Sequence, residues 1–224
     1  MDEEPDMSAY KAVLFDLDGT LLDTIDDLAE AMNQALAACG YPAHTAEECK
    51  YFVGDGVANF ALRAMPAERR SDPAAVARVR QLYRSAYSKN WADRTRPYEG
   101  VPQLLDELDA RGVAAAVCSN KPDDFVQLVV RKLLPRWRFA AVVGHREGNK
   151  HKPDPAVALE ITRRLDLPPE QFLYVGDTGT DMKTAVAAGM FPVGALWGFR
   201  TAEELTANGA KVLIAEPLEL LDLL

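Results

Sequence analysis

From Pro97 onward the sequence alternates helix-like and strand-like segments, and that alternation decides the fold class. Segments 104–111, 125–134, 156–165, 181–188 and 202–207 read as helices. The short apolar runs 113–118, 139–143, 172–175, 191–196 and 211–214 read as strands. Each strand must return to its neighbour through a helix, which gives a mostly parallel sheet with helices on both faces. Another apolar run, Ala12-Val13-Leu14-Phe15, supplies a first buried strand. Between it and Pro97 the pattern is helical, with no convincing strand. Leu28, Ala31, Met32, Ala35, Leu36 and Cys39 fall at helical spacing, with Asp26, Asp27 and Glu30 on other faces. Thr24 and Asp27 suit a capping box at the start of that helix, and Gly40 suits its end. A second helix is predicted around Phe60, Leu62 and Met65, and a third over 74–87. The chain thus reads as one α/β core, residues 1–22 and 93–224, interrupted after its first strand by a helical insert, 23–92. The linkers are predicted near 21–23 and 93–97.

Open parallel sheets place ligands beyond the carboxyl ends of their strands, so the chemistry is sought there. The first strand runs into Asp16-Leu17-Asp18-Gly19-Thr20. Strand alternation turns Asp16 and Asp18 to opposite sides, and they converge only if the chain bends, which Gly19 permits. Like charges this close require a cation between them or a proton on one of them. The simplest reading is a metal-assisted site in which one carboxylate is a nucleophile and the other handles protons. Asp-x-Asp-Gly also occurs in turns and opens calcium loops, but Thr20 and the lack of a late Glu do not fit an EF-hand.

Three further segments follow predicted strands. Ser119-Asn120 offers a hydroxyl, an amide and backbone N–H groups for phosphate oxygens, or simply a turn before the next helix. Lys150-His151-Lys152-Pro153-Asp154-Pro155 holds Lys152 between stiffening prolines, which suits a fixed cation, although Lys152 could equally be a solvated loop lysine. Lys150 is a lesser candidate for the same role. Gly176-Asp177-Thr178-Gly179-Thr180-Asp181 places Asp177 where it could bind a metal beside Asp16. Asp181 could support Asp177, or form a capping box with Thr178. Together the four segments supply a carboxylate nucleophile, metal ligands, a hydroxyl and a lysine, a complete kit for phosphoryl transfer with Mg²⁺. No Gly-rich loop ending in Gly-Lys-Ser/Thr is present, which disfavours a nucleotide motor or kinase of that class.

This set resembles the haloacid dehalogenase superfamily, and its phosphatase branch in particular. DLDGT at 16–20, Ser119-Asn120, KPDP at 152–155 and GDTGTD at 176–181 stand in the family's order and spacing. The resemblance implies a three-layer, doubly wound, Rossmann-like α/β core with a small all-helical cap where the insert stands. It implies Asp16 as nucleophile and Asp18 as general acid and then base. Mg²⁺ would be held by Asp16, the Asp18 backbone carbonyl and Asp177, with Asp181 behind them. Thr20, Ser119, Asn120 and Lys152 are the expected substrate-binding residues, Ser119 and Lys152 on the transferring phosphoryl group. Dehalogenases are less similar, because they lack the second Asp that stands here at Asp18.

Within the family the chain is most similar to phosphoglycolate phosphatases. The features are LLDT at 21–24, Phe52-Val53-Gly54-Asp55-Gly56, Arg63-Ala64 and Pro97-Tyr98-x-Gly100-Val101. Gly54 and Gly56 could form a loop facing the site or a helix-entry turn. Arg63 and Arg200 are candidate partners for a substrate carboxylate, or surface arginines.

The expected activity is a Mg²⁺-dependent phosphomonoester hydrolase acting on a small organic phosphate, with 2-phosphoglycolate first. Alternatives are a same-fold phosphatase for a sugar phosphate or pyrophosphate, a sugar-phosphate mutase, and a non-catalytic phosphate-binding regulator. A net charge of −9 disfavours nucleic acid and anionic membranes as partners. An acidic N-terminus, Met1-Asp2-Glu3-Glu4-Pro5-Asp6, is unlike a secretory signal, and Cys39, Cys49 and Cys118 fit thiols of a reducing cytoplasm. His44, His145 and His151 form no metal spacing. A cytoplasmic monomer or homodimer is expected.

Overall fold

A computed structural model describes residues 10–224, so the acidic N-terminal stretch lies outside the described residues. The first strand, β1 (Ala12–Phe15), is followed by the two-residue β2 (Leu22–Asp23). Four helices come next: α1 (Ile25–Ala37), α2 (Ala46–Phe52), α3 (Val57–Ala64) and α4 (Pro73–Asn90). The chain then re-enters through β3 (Arg96–Pro97), α5 (Val101–Ala110), β4 (Ala114–Pro122), α6 (Asp123–Leu133) and β5 (Ala141–His145). It continues with α7 (Ala156–Leu165), β6 (Phe172–Gly176), α8 (Gly179–Ala188) and β7 (Phe191–Ala195). Helix α9 (Ala202–Ala207) and β8 (Val212–Ile214) close the alternation.

The six-stranded sheet has the order β5-β4-β1-β6-β7-β8, and every pairing in it is parallel. After β1 the chain builds β4 and β5 on one side. It then crosses to β6 on the other side of β1, so the topology switches direction at β1. Crevices for ligands open at the carboxyl ends of strands at such a point. Strand alternation divides the core in two. Val13, Phe15, Val117, Leu173 and Val175 face α5 and α6, where Leu104, Leu105, Val126 and Val129 pack. Ala12, Leu14, Ala116, Phe172 and Tyr174 face α7 and α8, where Ala158, Ile161 and Ala185 pack. The result is the expected three-layer arrangement. Each large apolar side chain buried in it contributes about 1.5–3 kcal/mol of transfer free energy.

The inserted helices carry an apolar cluster of their own, with Met32, Leu36, Phe60, Tyr83 and Tyr87 at its centre and Phe125 and Phe199 packed against it. The two expected linkers lie side by side. Leu22 pairs with Pro97 and Asp23 with Arg96, antiparallel. The predicted Thr24–Asp27 capping box does not form, and Thr24 makes no side-chain cap. The fully buried Asp27 instead accepts from the Arg94 N–H at 3.0 Å, the Thr95 N–H at 2.8 Å and the Thr95 hydroxyl at 2.7 Å. Three donors from the returning linker outweigh one N-terminal amide. Helix α2 was not anticipated, although Thr45 and Glu48 form the capping box that announces it. Strand β4 runs past its predicted end at 118, with a shift of register against β5 between Cys118 and Pro122. That extension carries Ser119, Asn120 and Lys121 to the sheet edge. No helix among the described residues is long and apolar enough to cross a membrane.

Candidate active site

Asp16 follows β1 directly and is buried, with Oδ1 accepting the Leu17 N–H at 2.7 Å. The chain then bends: the Leu17 carbonyl accepts from the N–H groups of Leu21 at 3.1 Å and Leu22 at 3.0 Å. Gly19 lies inside the bend with φ +87°, and a Cβ on it would come 2.3 Å from Asp177 Oδ2. The glycine therefore serves twice, allowing the left-handed turn and admitting the second carboxylate.

Asp177 follows β6 and is fully buried. Its Oδ1 accepts from the Thr20 hydroxyl at 2.8 Å and its Oδ2 from the Phe199 N–H at 2.9 Å. Thr20 was expected to touch substrate. Its hydroxyl is directed instead at Asp177, and Thr20 does not line the adjoining cavity.

Lys152 is buried among the carboxylates. Its Nζ lies 3.0 Å from Asp16 Oδ1 and 2.6 Å from Asp181 Oδ1, and donates to the Cys118 carbonyl at 3.1 Å. The other oxygen of Asp181 accepts from the Thr178 N–H at 3.0 Å and hydroxyl at 2.6 Å, completing a capping box at the start of α8. The capping box forms, and the remaining oxygen of Asp181 is taken by Lys152. Asn120 Oδ1 accepts the Lys152 N–H at 2.8 Å, and its amide donates to the carbonyls of Lys152 at 3.2 Å and Gly54 at 2.9 Å. Both amide hydrogens are committed, so Asn120 fixes the lysine segment and has no side-chain donor to spare for a phosphate. Ser119 Oγ accepts the Lys121 N–H at 3.3 Å, and Ser119 lines the cavity. Lys150 is exposed and pairs with Asp154 at 3.5 Å.

Asp16, Asp177 and Asp181 each offer an oxygen, and these atoms lie within 4.8 Å of one another. One buried ammonium pairs with two of the three clustered carboxylates, leaving two negative charges if all three ionise. Burial, reinforced by Asp181 and Asp18, pushes Asp16 up to about 7 despite Lys152. Burial also holds Asp177 well above the usual carboxylate range, with Asp181 and Asp16 adding to it. Burial alone would lower Lys152, but Asp16 and Asp181 outweigh it and raise its pKa. The surplus charge and the all-oxygen donor set fit one divalent, oxygen-preferring cation. Asp16, Asp177 and Asp181 are the side chains whose oxygens could hold it.

Asp18 stands apart from that cluster. Lys121 Nζ donates to its two oxygens at 2.8 and 3.1 Å, and lies 4.8 Å from the centroid of the Tyr87 ring. Lys121 is a site residue that the sequence reading passed over. The signal was available: a lysine directly after Ser119-Asn120 on the same extended segment.

A cavity of about 440 Å³ opens in front of Asp16, Asp18, Ser119 and Lys121. Its opposite wall comes from the inserted helices and includes Val57, Phe60, Tyr83 and Arg80. Gly54 and Gly56 line it too, while Gly56 also precedes α3, so the loop is both wall and helix entry. Arg63 and Arg200 do not line the cavity. Arg63 is paired with Asp55, and Arg200 donates to the carbonyls of Lys50 and Val53. Asp55 in turn accepts from Thr180 at 2.7 Å. These bonds fasten the insert over the strand ends.

Residues 13–195 match the sequence model of the family described as haloacid dehalogenase-like hydrolases. A phosphoglycolate phosphatase of Xylella fastidiosa is 32% identical over 90% of this chain and 87% of its own length. An N-acetylmuramic acid 6-phosphate phosphatase of Pseudomonas aeruginosa is 32% identical over 96% of this chain and 94% of its own. Among solved structures, a protein of Lactobacillus delbrueckii subsp. bulgaricus, provisionally named a phosphoglycolate phosphatase, superposes with a TM-score of 0.89. It is 32% identical, with 95% of this chain and 97% of that one covered. With its parallel sheet and its acidic cluster at the switch point, the chain belongs to the haloacid dehalogenase-like hydrolase family, in its phosphatase branch.

Proposed function

We propose that this chain is a Mg²⁺-dependent phosphomonoester hydrolase that works through an aspartyl-phosphate on Asp16. The observation that carries the reading is the gathering of three buried carboxylates and Lys152 beyond the carboxyl ends of the strands, where Asp16 lines the cavity. In the first half-reaction an Asp16 oxygen bonds phosphorus, the ester P–O bond breaks, and Asp18 gives its proton to the departing alcohol. In the second, water bonds phosphorus, the Asp16–phosphorus bond breaks, and Asp18 takes the proton from water. Ser119 and Lys152 hold the transferring group. Asp16, the Asp18 backbone carbonyl and Asp177 would hold Mg²⁺, with Asp181 and Thr20 keeping Lys152 and Asp177 in place. The bound ion would supply the charge neutralisation that lets an anionic nucleophile meet an anionic phosphate. Residues 23–92 act as a cap over a core formed by 1–22 and 93–224, and exclude water from the cavity.

The substrate is a small organic phosphate. Relatives named as phosphoglycolate phosphatases put 2-phosphoglycolate first. A ring-bearing sugar phosphate is the second reading. It is favoured by a cavity of about 440 Å³, far more room than 2-phosphoglycolate fills, and by the N-acetylmuramic acid 6-phosphate phosphatase among the relatives. Phosphate release from a panel containing both, with p-nitrophenyl phosphate as a generic ester, is expected with Mg²⁺ and absent with EDTA. Inertness toward every ester would favour a phosphate-binding regulator.

The acidic cluster also predicts a pH dependence of metal stabilisation. Asp16 titrates near 7 in the folded, metal-free protein, and Asp177 is likewise raised. A carboxyl whose folded pKa is raised binds its proton more tightly when folded. Its contribution is therefore favourable at low pH and is lost between the unfolded value near 4 and the folded value near 7. Mg²⁺ displaces that proton. The rise in Tm on adding Mg²⁺ is expected to be larger at pH 8 than at pH 5.5. Equal shifts at both pH values would speak against a cation in this cluster.

A further inference from the structure

We propose that Lys121 is a positioning residue that sets the direction of the Asp18 carboxylate, and that it does so only while the inserted helices are seated. Four observations carry this. Lys121 approaches both oxygens of Asp18, at 2.8 and 3.1 Å. Its side chain is only 5% exposed, so this is not a solvated pair that swings freely. Its ammonium faces the ring of Tyr87, which belongs to α4 of the insert. Lys152, the other buried lysine of the site, reaches Asp16 and Asp181, so the two lysines serve different carboxylates.

A carboxylate on a two-bond side chain can turn through many directions at the end of a strand. A proton donor must sit within hydrogen-bond reach of the leaving oxygen, and a displacement of about 1 Å can cost about 10²-fold in rate. Contact with both oxygens defines the carboxylate plane. One oxygen can then carry the proton while the other still accepts from Lys121. The aromatic face of Tyr87 also holds the ammonium. Lifting the insert removes that face, so the acid would be aligned only over an enclosed substrate.

The proposal rests on Asp18 being the proton donor of the proposed function, and the test separates the two ideas. The ratio kcat/KM covers steps up to departure of the alcohol, so it isolates the half-reaction in which Asp18 gives its proton. An alkyl phosphate needs that proton, whereas p-nitrophenolate leaves without it. Lys121→Met is expected to lower kcat/KM by about 10²-fold for the alkyl ester that the parent hydrolyses best, and only a few-fold for p-nitrophenyl phosphate. Lys121→Arg should restore part of the alkyl-ester rate. Tyr87→Leu should shift the ratio in the same direction, and Tyr87→Phe, which keeps the ring, should shift it less. Adding Lys121→Met to Asp18→Asn should cost almost nothing further. Should Lys121→Met not fold, Lys121→Gln takes its place. Equal losses on both esters, with Asp18→Asn selective for the alkyl ester, would overturn the role of Lys121 alone. Equal losses in Asp18→Asn itself would overturn the assignment of Asp18, and the role of Lys121 with it.

Discussion

Asp16→Asn is expected to lower kcat by about 10⁴-fold or more, the scale on which an enzyme loses a covalent nucleophile. The substitution keeps the shape of the side chain, and an amide oxygen can still accept the Leu17 N–H that now binds Asp16 Oδ1 at 2.7 Å. The fold is therefore retained, and the thermal behaviour should go further. Removing one of three crowded carboxylates relieves part of the repulsion that adds to burial in raising Asp177. In EDTA the variant should melt at a higher temperature than the parent, and its response to Mg²⁺ should be weaker. Acid-quenched parent should carry a phosphoryl adduct on the peptide containing Asp16, and the variant should carry none. Activity above a few per cent in a clean preparation would remove Asp16 from its role.

Lys152→Met is expected to fail in two ways. Lys152 is the only lysine in direct contact with Asp16 among the described residues, and losing a fixed donor to a charge-bearing oxygen costs about 10²–10³-fold in kcat. The same change leaves Asp16 and Asp181, crowded beside Asp177, without their ammonium partner. Removing one partner of a buried ion pair typically destabilises by about 3–5 kcal/mol. The loss should be largest in EDTA at alkaline pH, where the carboxyls cannot shed their charge by taking up protons. It should shrink toward pH 5 and on addition of Mg²⁺. A loss of Tm independent of both would mean that Lys152 stabilises by packing alone.

The parallel core was legible because its signals are local. A four-residue apolar run such as Ala12-Val13-Leu14-Phe15 has no other use at that length, and the helix 156–165 was placed to the residue. The reading failed where a side chain's partner lies far along the chain. Asp27 looks like a capping residue until Arg94 and Thr95 arrive with three donors from the returning linker. Thr20 and Asn120 read as phosphate ligands, and the bonds their side chains make to Asp177 and to the Lys152 backbone, across 157 and 32 residues of sequence, were not legible. Arg63 and Arg200 read as partners for a substrate carboxylate or as surface arginines, and their bonds to Asp55 and to the carbonyls of the α2 end could not be foreseen. Lys121 was hidden for the same reason: only the tertiary fold brings Asp18 and Tyr87 to it. The motifs thus announced which residues gather, and the distant partners decide what each can still do.

The side-by-side linkers bear on how such a chain can be re-engineered. The backbone leaves the core at Leu22–Asp23 and returns at Arg96–Pro97, paired strand to strand, with Asp27 bound to the return segment. A detour whose two ends touch imposes almost no distance constraint on the scaffold that hosts it. The intervening helices can then be treated as an exchangeable cassette, spliced out at two adjacent peptide bonds and replaced by another module of different length. Chimeras that keep this two-strand clasp and the Asp27 latch should preserve the chemistry while changing which alcohols are accepted, whereas grafts that replace Asp27 or residues 94–97 would lose the latch or the clasp.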